Sequence, residues 1–213
     1  MDYYMSSAAG YFLVPNMLLS AWRYDAAKDC FIPFDMPYYV PIGHGISERS
    51  FREDIHRIRE ENKKYREIAA SLAKDRHRGQ KDKAGKDYFE AHVSKVAELV
   101  EQMFGGGSLP VIAYLHDLLE DTDTLETELR EMFPDEIVNA VISLTRGSKE
   151  SYPEYIQRVK HNPLAVKVKI CDLIQNMDLT RILNPTENDR RRVMKYACAL
   201  TELTRPERKE EEK

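Results

Sequence analysis

Two histidines and two aspartates stand in helical, apolar stretches where charge is costly. His116 and Asp117 sit side by side in VIAYLHDLLEDT (residues 111–122), wedged between Leu115 and Leu118. Val111, Ile112, Leu115, Leu118 and Leu119 recur at i, i+1, i+4, i+7 and i+8, the spacing of one helical face aimed at a core. The pair is therefore expected at the edge of a buried face, where ionised groups must be paired or bound to metal. His92 is flanked by Val93, Val96 and Leu99, and Asp172 by Val168, Ile170, Leu173 and Ile174. Singly, each histidine reads as a satisfied core residue; the four together read as a set of metal ligands. Two imidazoles and two carboxylates suit a divalent ion such as Mn²⁺, Fe²⁺, Co²⁺ or Zn²⁺, the carboxylates favouring the harder ions. Such an ion would acidify a water and polarise a phosphoryl oxygen. Glu120 and Asp121, one turn beyond the His–Asp pair, are placed to orient or deprotonate that water.

These side chains need helices to carry them, and hydrophobic periodicity supplies candidates from Ser47 onward. Ser47 reads as an N-cap, with Ser50-Phe-Arg-Glu53 offering a capping box, for a charged helix to about Lys74. The basic loop HRGQKDKAGKDYF (77–89) follows, then a helix over 89–104 that ends at Gly105-Gly106-Gly107. The central helix is expected after Ser108, with Pro110 in its first turn, where the missing N–H is harmless. Further helices are expected over 124–133, 134–145, 152–159 and 164–177, the first capped by Thr124 and the fourth restarted by Asn162-Pro163. Thr186 or Asn188 would cap a last helix ending at Leu203, before a charged tail (206–213) expected to fray. Residues 1–46 differ: they are rich in Tyr, Phe, Pro and Met, and Pro33, Pro37 and Pro41 exclude a long helix. That arm is expected to be irregular or to form short strands, as a segment packed on the body, a lid or a partner-binding arm. His44 reads as a turn residue between glycines, and His56 as solvated.

Composition bounds the function. Hydrophobic residues make up 42% and charged residues 32%, with a net charge of −4, which argues against a general nucleic-acid binder. No apolar run approaches the roughly 20 residues that span a bilayer. Asp2 and the lack of a basic n-region make the N-terminus a poor signal peptide. Cys30, Cys171 and Cys198 are widely spaced without a CxxC, which suggests a reducing cytoplasm and ordinary thiols. A cytoplasmic protein is expected.

The pattern of His92, His116-Asp117 and Asp172, with Glu120-Asp121 following, resembles the HD-domain phosphohydrolases. More narrowly, HRGQKDKAGKDYFEAH (77–92), AYLHDLLEDTDTLETEL (113–129), LTRGSKESYPEYIQRV (144–159) and NPLAVKVKICDLIQNMDLTR (162–181) resemble the hydrolase domain of stringent-response alarmone (ppGpp) enzymes and their small single-domain relatives. The resemblance implies an all-α HD-domain helical bundle over 47–205, preceded by the short irregular or small-stranded arm of 1–46. It implies His92, His116, Asp117 and Asp172 as ligands of manganese, and Glu120 and Asp121 as the acids that activate the attacking water. Lys83 and Tyr88 fall in the nucleotide-holding loop, and Asn176 on the sugar-contacting asparagine. The reaction implied is removal of the 3′-pyrophosphate of guanosine 3′,5′-bis(diphosphate), returning GDP or GTP. The 46 residues before Ser47 are too few for a synthetase domain, so a chain of this type is expected only to degrade.

Departures from the family pattern concentrate away from the ligands. Where the family carries an Arg-Lys pair whose arginine stacks on guanine, this chain has Asp82 ahead of Lys83, and the loop is one residue longer before His92. The family's Arg-Leu-His-Asn-Met is Leu173-Ile-Gln-Asn-Met here, followed by Asp178-Leu179. Lys81, Lys83, Lys86 and His77 form the candidate phosphate-holding cluster, joined by Arg146 and by Lys169 unless the latter snorkels. His161 carries no assignment. The expectation is a metal-dependent nucleotide phosphohydrolase with a small-molecule substrate and a possible homo-oligomeric state. The rivals are a phosphohydrolase of another nucleotide, 3′-phosphorylated or deoxy, and a catalytically silent nucleotide-sensing module.

Overall fold

The computed structural model describes residues 3–7, 10–14, 21–25, 30–34 and 44–205. The chain divides into two compact units, Met1–Lys64 with Phe104–Gly107, and Tyr65–Met103 with Ser108–Lys213.

The first unit holds an antiparallel five-stranded sheet: β1 (Tyr3–Ser7), β2 (Gly10–Val14), β3 (Ala21–Asp25), β4 (Cys30–Phe34) and β5 (His44–Ile46), in the order β4-β3-β2-β1-β5. β1 and β2 form a hairpin in register from Tyr3↔Val14 to Ser7↔Gly10. The arm thus takes the stranded of its two expected forms. His44 does not lie in a turn: it opens β5, opposite Ser6. Pro33 falls in β4, an edge strand, where a missing N–H is tolerated. Pro37, Pro41 and the charged tail of 206–213 lie outside the described residues. Helix α1 (Glu48–Arg76) begins in this unit and continues into the second. Ser47 caps it, its Oγ accepting the Ser50 N–H at 3.1 Å; Glu53 does not close the capping box but pairs with Arg49 at 2.8 Å.

The second unit is helical. After α1 come a π-helical turn (Phe89–Val93), α2 (Ser94–Phe104), α3 (Leu109–Leu115), α4 (Leu118–Asp121), α5 (Glu126–Met132), α6 (Asp135–Leu144), α7 (Tyr152–Lys160), α8 (Pro163–Met177), a 3₁₀ turn (Leu179–Arg181) and α9 (Glu187–Thr204). Helix α3 packs on both α6 and α8. Leu109, Val111, Ile112, Ala113 and Leu115 are at most 2% exposed, so α3 is buried nearly all round rather than on one stripe. Val138, Val141, Val168 and Leu173 face the same core. The helix ends are fixed largely by side chains. Asn162 Oδ1 accepts the N–H groups of Leu164 and Ala165 at 3.1 Å each, and Ser151 with Glu154 and Thr186 with Asp189 form capping boxes. One expected cap does not form: Thr124 spends its hydroxyl on Thr122 at 2.8 Å, and α5 starts two residues later. Among the described residues no helix is long and apolar enough to cross a membrane.

The largest correction lies at the centre. Residues 111–122 are not one helix: α3 stops at Leu115 and α4 restarts at Leu118, with His116 and Asp117 in the break. In a continuous helix, neighbours project about 100° apart and cannot meet. The break removes that restriction.

Because α3 is the buried axis of this unit, Ile112→Ala should destabilise it by about 2–5 kcal/mol. A urea melt would show the loss as a lower midpoint at unchanged slope.

Candidate metal centre

His92 leaves the π-helical turn, His116 and Asp117 the α3–α4 break, and Asp172 the middle of α8. The four meet. His92 Nε2 lies 3.4 Å from Asp117 Oδ2 and 3.3 Å from Asp172 Oδ1; His116 Nε2 lies 2.9 Å from Asp117 Oδ2 and 3.8 Å from Asp172 Oδ1. The imidazole centroids are 5.3 Å apart. One donor atom each from His92, His116 and Asp117 lies within 4.8 Å of the others, and Asp172 closes the fourth side. His92, His116 and Asp172 are 4%, 2% and 4% exposed, so the charge is buried.

The surrounding groups orient these donors. His116 Nδ1 is 2.7 Å from the Ala113 carbonyl, which can only accept, so Nδ1 carries a proton and Nε2 faces the other ligands. That Nε2 is buried without a hydrogen-bond partner, although Asp117 Oδ2 lies 2.9 Å away. A buried ring nitrogen aimed at two carboxylates and a second imidazole fits a divalent cation. The Tyr88 hydroxyl donates to Asp117 Oδ2 at 2.6 Å; Lys169 Nζ donates to Asp172 Oδ2 at 2.8 Å and Asn176 Nδ2 to Asp172 Oδ1 at 2.6 Å. Lys169 therefore does not snorkel: it is held inward, its ammonium 5.1 Å from the Tyr155 ring centroid.

Burial alone would depress the His116 imidazole, but the carboxylates of Asp117 and Asp172 reverse this and hold it up to about 10. Burial is likewise overcome at His92, which is raised by the same two carboxylates. Burial would raise both aspartates, yet His116 and His92 at Asp117, and Lys169 with the histidines at Asp172, hold them well below the usual carboxylate range. In the protein alone, protons on the imidazoles balance the two carboxylates; a divalent cation would do so in their place.

The acidic pair follows on α4. Glu120 Oε2 accepts the Arg146 main-chain N–H at 3.0 Å, which ties α4 to the α6–α7 connection. Partial burial, then the like charges of Asp117 and Glu120, push Asp121 up to about 6, a suitable value for moving a proton near neutrality.

The basic residues do not gather as the sequence suggests. Lys81 is exposed and bridges in the backbone to Asp87, Lys86 is exposed, and Lys83 Nζ sits 3.8 Å from Asp189 Oδ1. The Arg146 guanidinium donates to the Glu150 carbonyl at 2.7 Å and 2.9 Å. His77 is not a phosphate-facing surface group, being 0% exposed. Asp82 is drawn inward: Oδ1 accepts the Ala84 and Lys86 N–H groups at 2.9 Å each, and Oδ2 lies 3.4 Å from Arg181 Nη1. Of the cations that do concentrate, Arg146 and Lys169 were named from the sequence, and Arg192 and Lys195 were missed. Burial first, and then the charges of Arg146, Lys169 and Arg192, push the Lys195 ammonium down. Arg192 Nε and Nη1 are buried without hydrogen-bond partners, and Lys195 Nζ stands 4.3 Å from the Tyr152 ring centroid. Cations close enough to repel one another, with two unpaired donors on Arg192, would attract an anion, although Arg192 Nη2 also lies 3.4 Å from Asp189 Oδ1. Their sequence signal was weak, since one arginine in RRR and one lysine on a charged helix look solvated.

Comparison with known proteins agrees with this geometry. A family model described as HD domain matches residues 69–212. The chain is 28% identical over 143 residues to a guanosine-3′,5′-bis(diphosphate) 3′-pyrophosphohydrolase of Aquifex aeolicus, covering 62% of this chain and 20% of that protein. It is 29% identical over 130 residues to a GTP pyrophosphokinase of Brucella melitensis biotype 1, covering 56% of this chain and 17% of that one. The chain thus spans about a fifth of the length of these relatives. A solved structure described as a metazoan ortholog of SpoT that hydrolyzes ppGpp superposes with a TM-score of 0.54 at 21% identity, over 65% of this chain and 84% of that chain.

Because a metal and protons compete for the same imidazoles, divalent metal binding near pH 7 should release protons. Affinity should rise by about tenfold per pH unit for each proton displaced and fall as the medium is acidified. Calorimetry in two buffers of different ionisation enthalpy measures the release; a value of zero would contradict the charge balance drawn for His92 and His116.

Proposed function

The chain belongs to the HD-domain family, and from that premise we propose that it hydrolyses a phosphorylated nucleotide, removing the 3′-pyrophosphate of guanosine 3′,5′-bis(diphosphate). The observation that carries this reading is the buried convergence of His92, His116, Asp117 and Asp172, with an acid of raised pKa one turn away. The activity named for the Aquifex relative supports the substrate. HD domains are metal-dependent, and here the four ligand residues would hold the ion, which we take to be manganese. When bound, it supplies Lewis-acid polarisation of a phosphoryl oxygen and a water of lowered pKa.

The protein's own groups do the rest. Asp121, with Glu120 beside it, takes the proton from the attacking water. Water adds at the phosphorus bonded to O3′, the P–O3′ bond breaks, O3′ gains a proton and pyrophosphate leaves. Tyr88, Lys169 and Asn176 keep the ligand carboxylates fixed, so little reorganisation is needed as charge develops. Arg192, Lys195 and Arg146 would neutralise the polyphosphate. Asp82 favours a second substrate reading within the same chemistry. Its carboxylate is committed to Arg181 and to its own loop, so it offers no cation to stack on guanine. Another 3′-phosphorylated nucleotide would suit such a loop.

His116→Ala and Asp172→Ala should abolish both metal content and turnover. Glu120→Gln and Asp121→Asn should retain metal and lose about 10²–10⁴-fold in kcat. The assay is manganese-supplemented hydrolysis of guanosine 3′,5′-bis(diphosphate), its adenosine analogue and NADPH, with phosphate and pyrophosphate read separately. Full activity in Glu120→Gln and Asp121→Asn together would remove the acidic pair from the mechanism. Phosphate from another nucleotide would retain the chemistry and move the substrate.

A further inference from the structure

His77 is fully buried, yet only one of its nitrogens has a partner. Nδ1 lies 2.8 Å from Gln80 Oε1, while Nε2 is buried with none. A histidine placed only to fill space would be better replaced by an apolar residue, since a buried unpaired nitrogen costs free energy. The bond at Nδ1 must therefore be what the position requires.

The direction of that bond follows from its far end. Gln80 Nε2 donates to the main-chain carbonyl of Asp121 at 2.9 Å. A carbonyl can only accept, so the amide nitrogen of Gln80 faces Asp121 and its oxygen faces His77. An amide oxygen can likewise only accept, so His77 Nδ1 bears the proton and Nε2 the lone pair. Burial also pushes the His77 imidazole down, which keeps it neutral with a single N–H.

Asp121 is the last residue of α4, a helix of four residues. Its carbonyl is one of the acceptors left open at any helix C-terminus, and so short a helix has almost no stability of its own. Thr122 reinforces the turn, its main-chain N–H and its hydroxyl both donating to the Leu118 carbonyl at 3.2 Å and 2.6 Å, but leaves the Asp121 carbonyl to Gln80. The same histidine also neighbours the ring that reaches the candidate ligands. The His77 ring centroid lies 5.1 Å from that of Tyr88, whose hydroxyl bonds Asp117, and Tyr88 lies 5.1 Å from His92.

We propose that His77 and Gln80 form a positioning relay, with His77 protonated at Nδ1, that fixes the α4 turn bearing Glu120 and Asp121 relative to the metal ligands. Neither residue touches the reacting atoms. The relay acts through the main chain of Asp121 and through the ring of Tyr88. Its catalytic consequence rests on the phosphohydrolase reading; the tautomer and the hydrogen-bond order do not.

The test uses the full chain and two independent readouts. Long-range ¹H–¹⁵N correlation on zinc-loaded protein should show His77 with a protonated Nδ1 and a bare Nε2. In the manganese assay, Gln80→Leu and Gln80→Glu should lower kcat by about tenfold to a hundredfold, with KM within about twofold and metal content unchanged. His77→Asn, whose amide N–H can stand in for Nδ1–H, should recover most of the activity lost in His77→Phe. Wild-type kcat in folded, metal-loaded Gln80→Leu would overturn the relay, as would a His77 protonated at Nε2. Loss of metal in step with kcat would overturn it too, by making the pair part of the ligand scaffold. If the wild-type protein turns over none of the substrates, the functional reading fails, and the tautomer measurement alone still decides the relay.

Discussion

Two carboxylates buried within reach of the same pair of imidazoles set the terms for the rest of the second unit. An ionised carboxylate taken out of water costs several kcal/mol unless other charges and hydrogen bonds replace its hydration. Asp172 meets that cost with Lys169 on one oxygen and Asn176 on the other, all three on α8 at i−3, i and i+4. Asp117 meets it with the Tyr88 hydroxyl and the two histidines. Lys169 can be buried only because Asp172 is there, and it rests on Tyr155, whose hydroxyl reaches the Leu144 carbonyl. Stability and chemistry are therefore coupled through the same contacts, and the core cannot be repacked around the site without disturbing it.

Regular helix would not bring these groups together. The His–Asp pair converges because α3 ends between Leu115 and His116 and α4 begins only after Asp117. His92 projects from a π-helical turn, which holds more residues per turn than an α-helix and occurs often at functional sites. Two local departures from the α-helical repeat thus do what no amphipathic pattern could. They also explain why the relay through Gln80 matters: the fragment carrying the acids is a single turn, too short to be held by its own few hydrogen bonds alone.

The four residues of the candidate metal centre were legible in the sequence because they violate a rule. His92, Asp172 and the His116–Asp117 pair interrupt apolar helical stretches, and such an interruption is visible without coordinates. The helices themselves were legible from periodicity and caps, as Asn162, Ser151 and Thr186 illustrate. What could not be read was anything decided by tertiary pairing. Lys81, Lys83 and Lys86 looked like a phosphate cradle because composition cannot show that Lys83 faces Asp189 and the other two face solvent. Lys169 read as either a phosphate-holding cation or a snorkelling surface lysine until its partner three residues away proved to be buried. Arg192 was hidden in a charged helix, and the sheet order of the arm depended on pairings that short aromatic segments do not specify.

The pairing of Asp82 with Arg181 has an evolutionary consequence. The two residues are 99 positions apart and join the loop before His92 to the 3₁₀ turn after α8. A lineage that replaced Asp82 with a cation in one step would set like charges a few ångströms apart and would also lose the acceptor that organises Ala84 and Lys86. The two sites are thus epistatic, and the fitness of a substitution at one depends on the residue at the other. Exchange of Asp82 for a cation thus calls for a compensating change at position 181, so the two positions should be inherited as a pair.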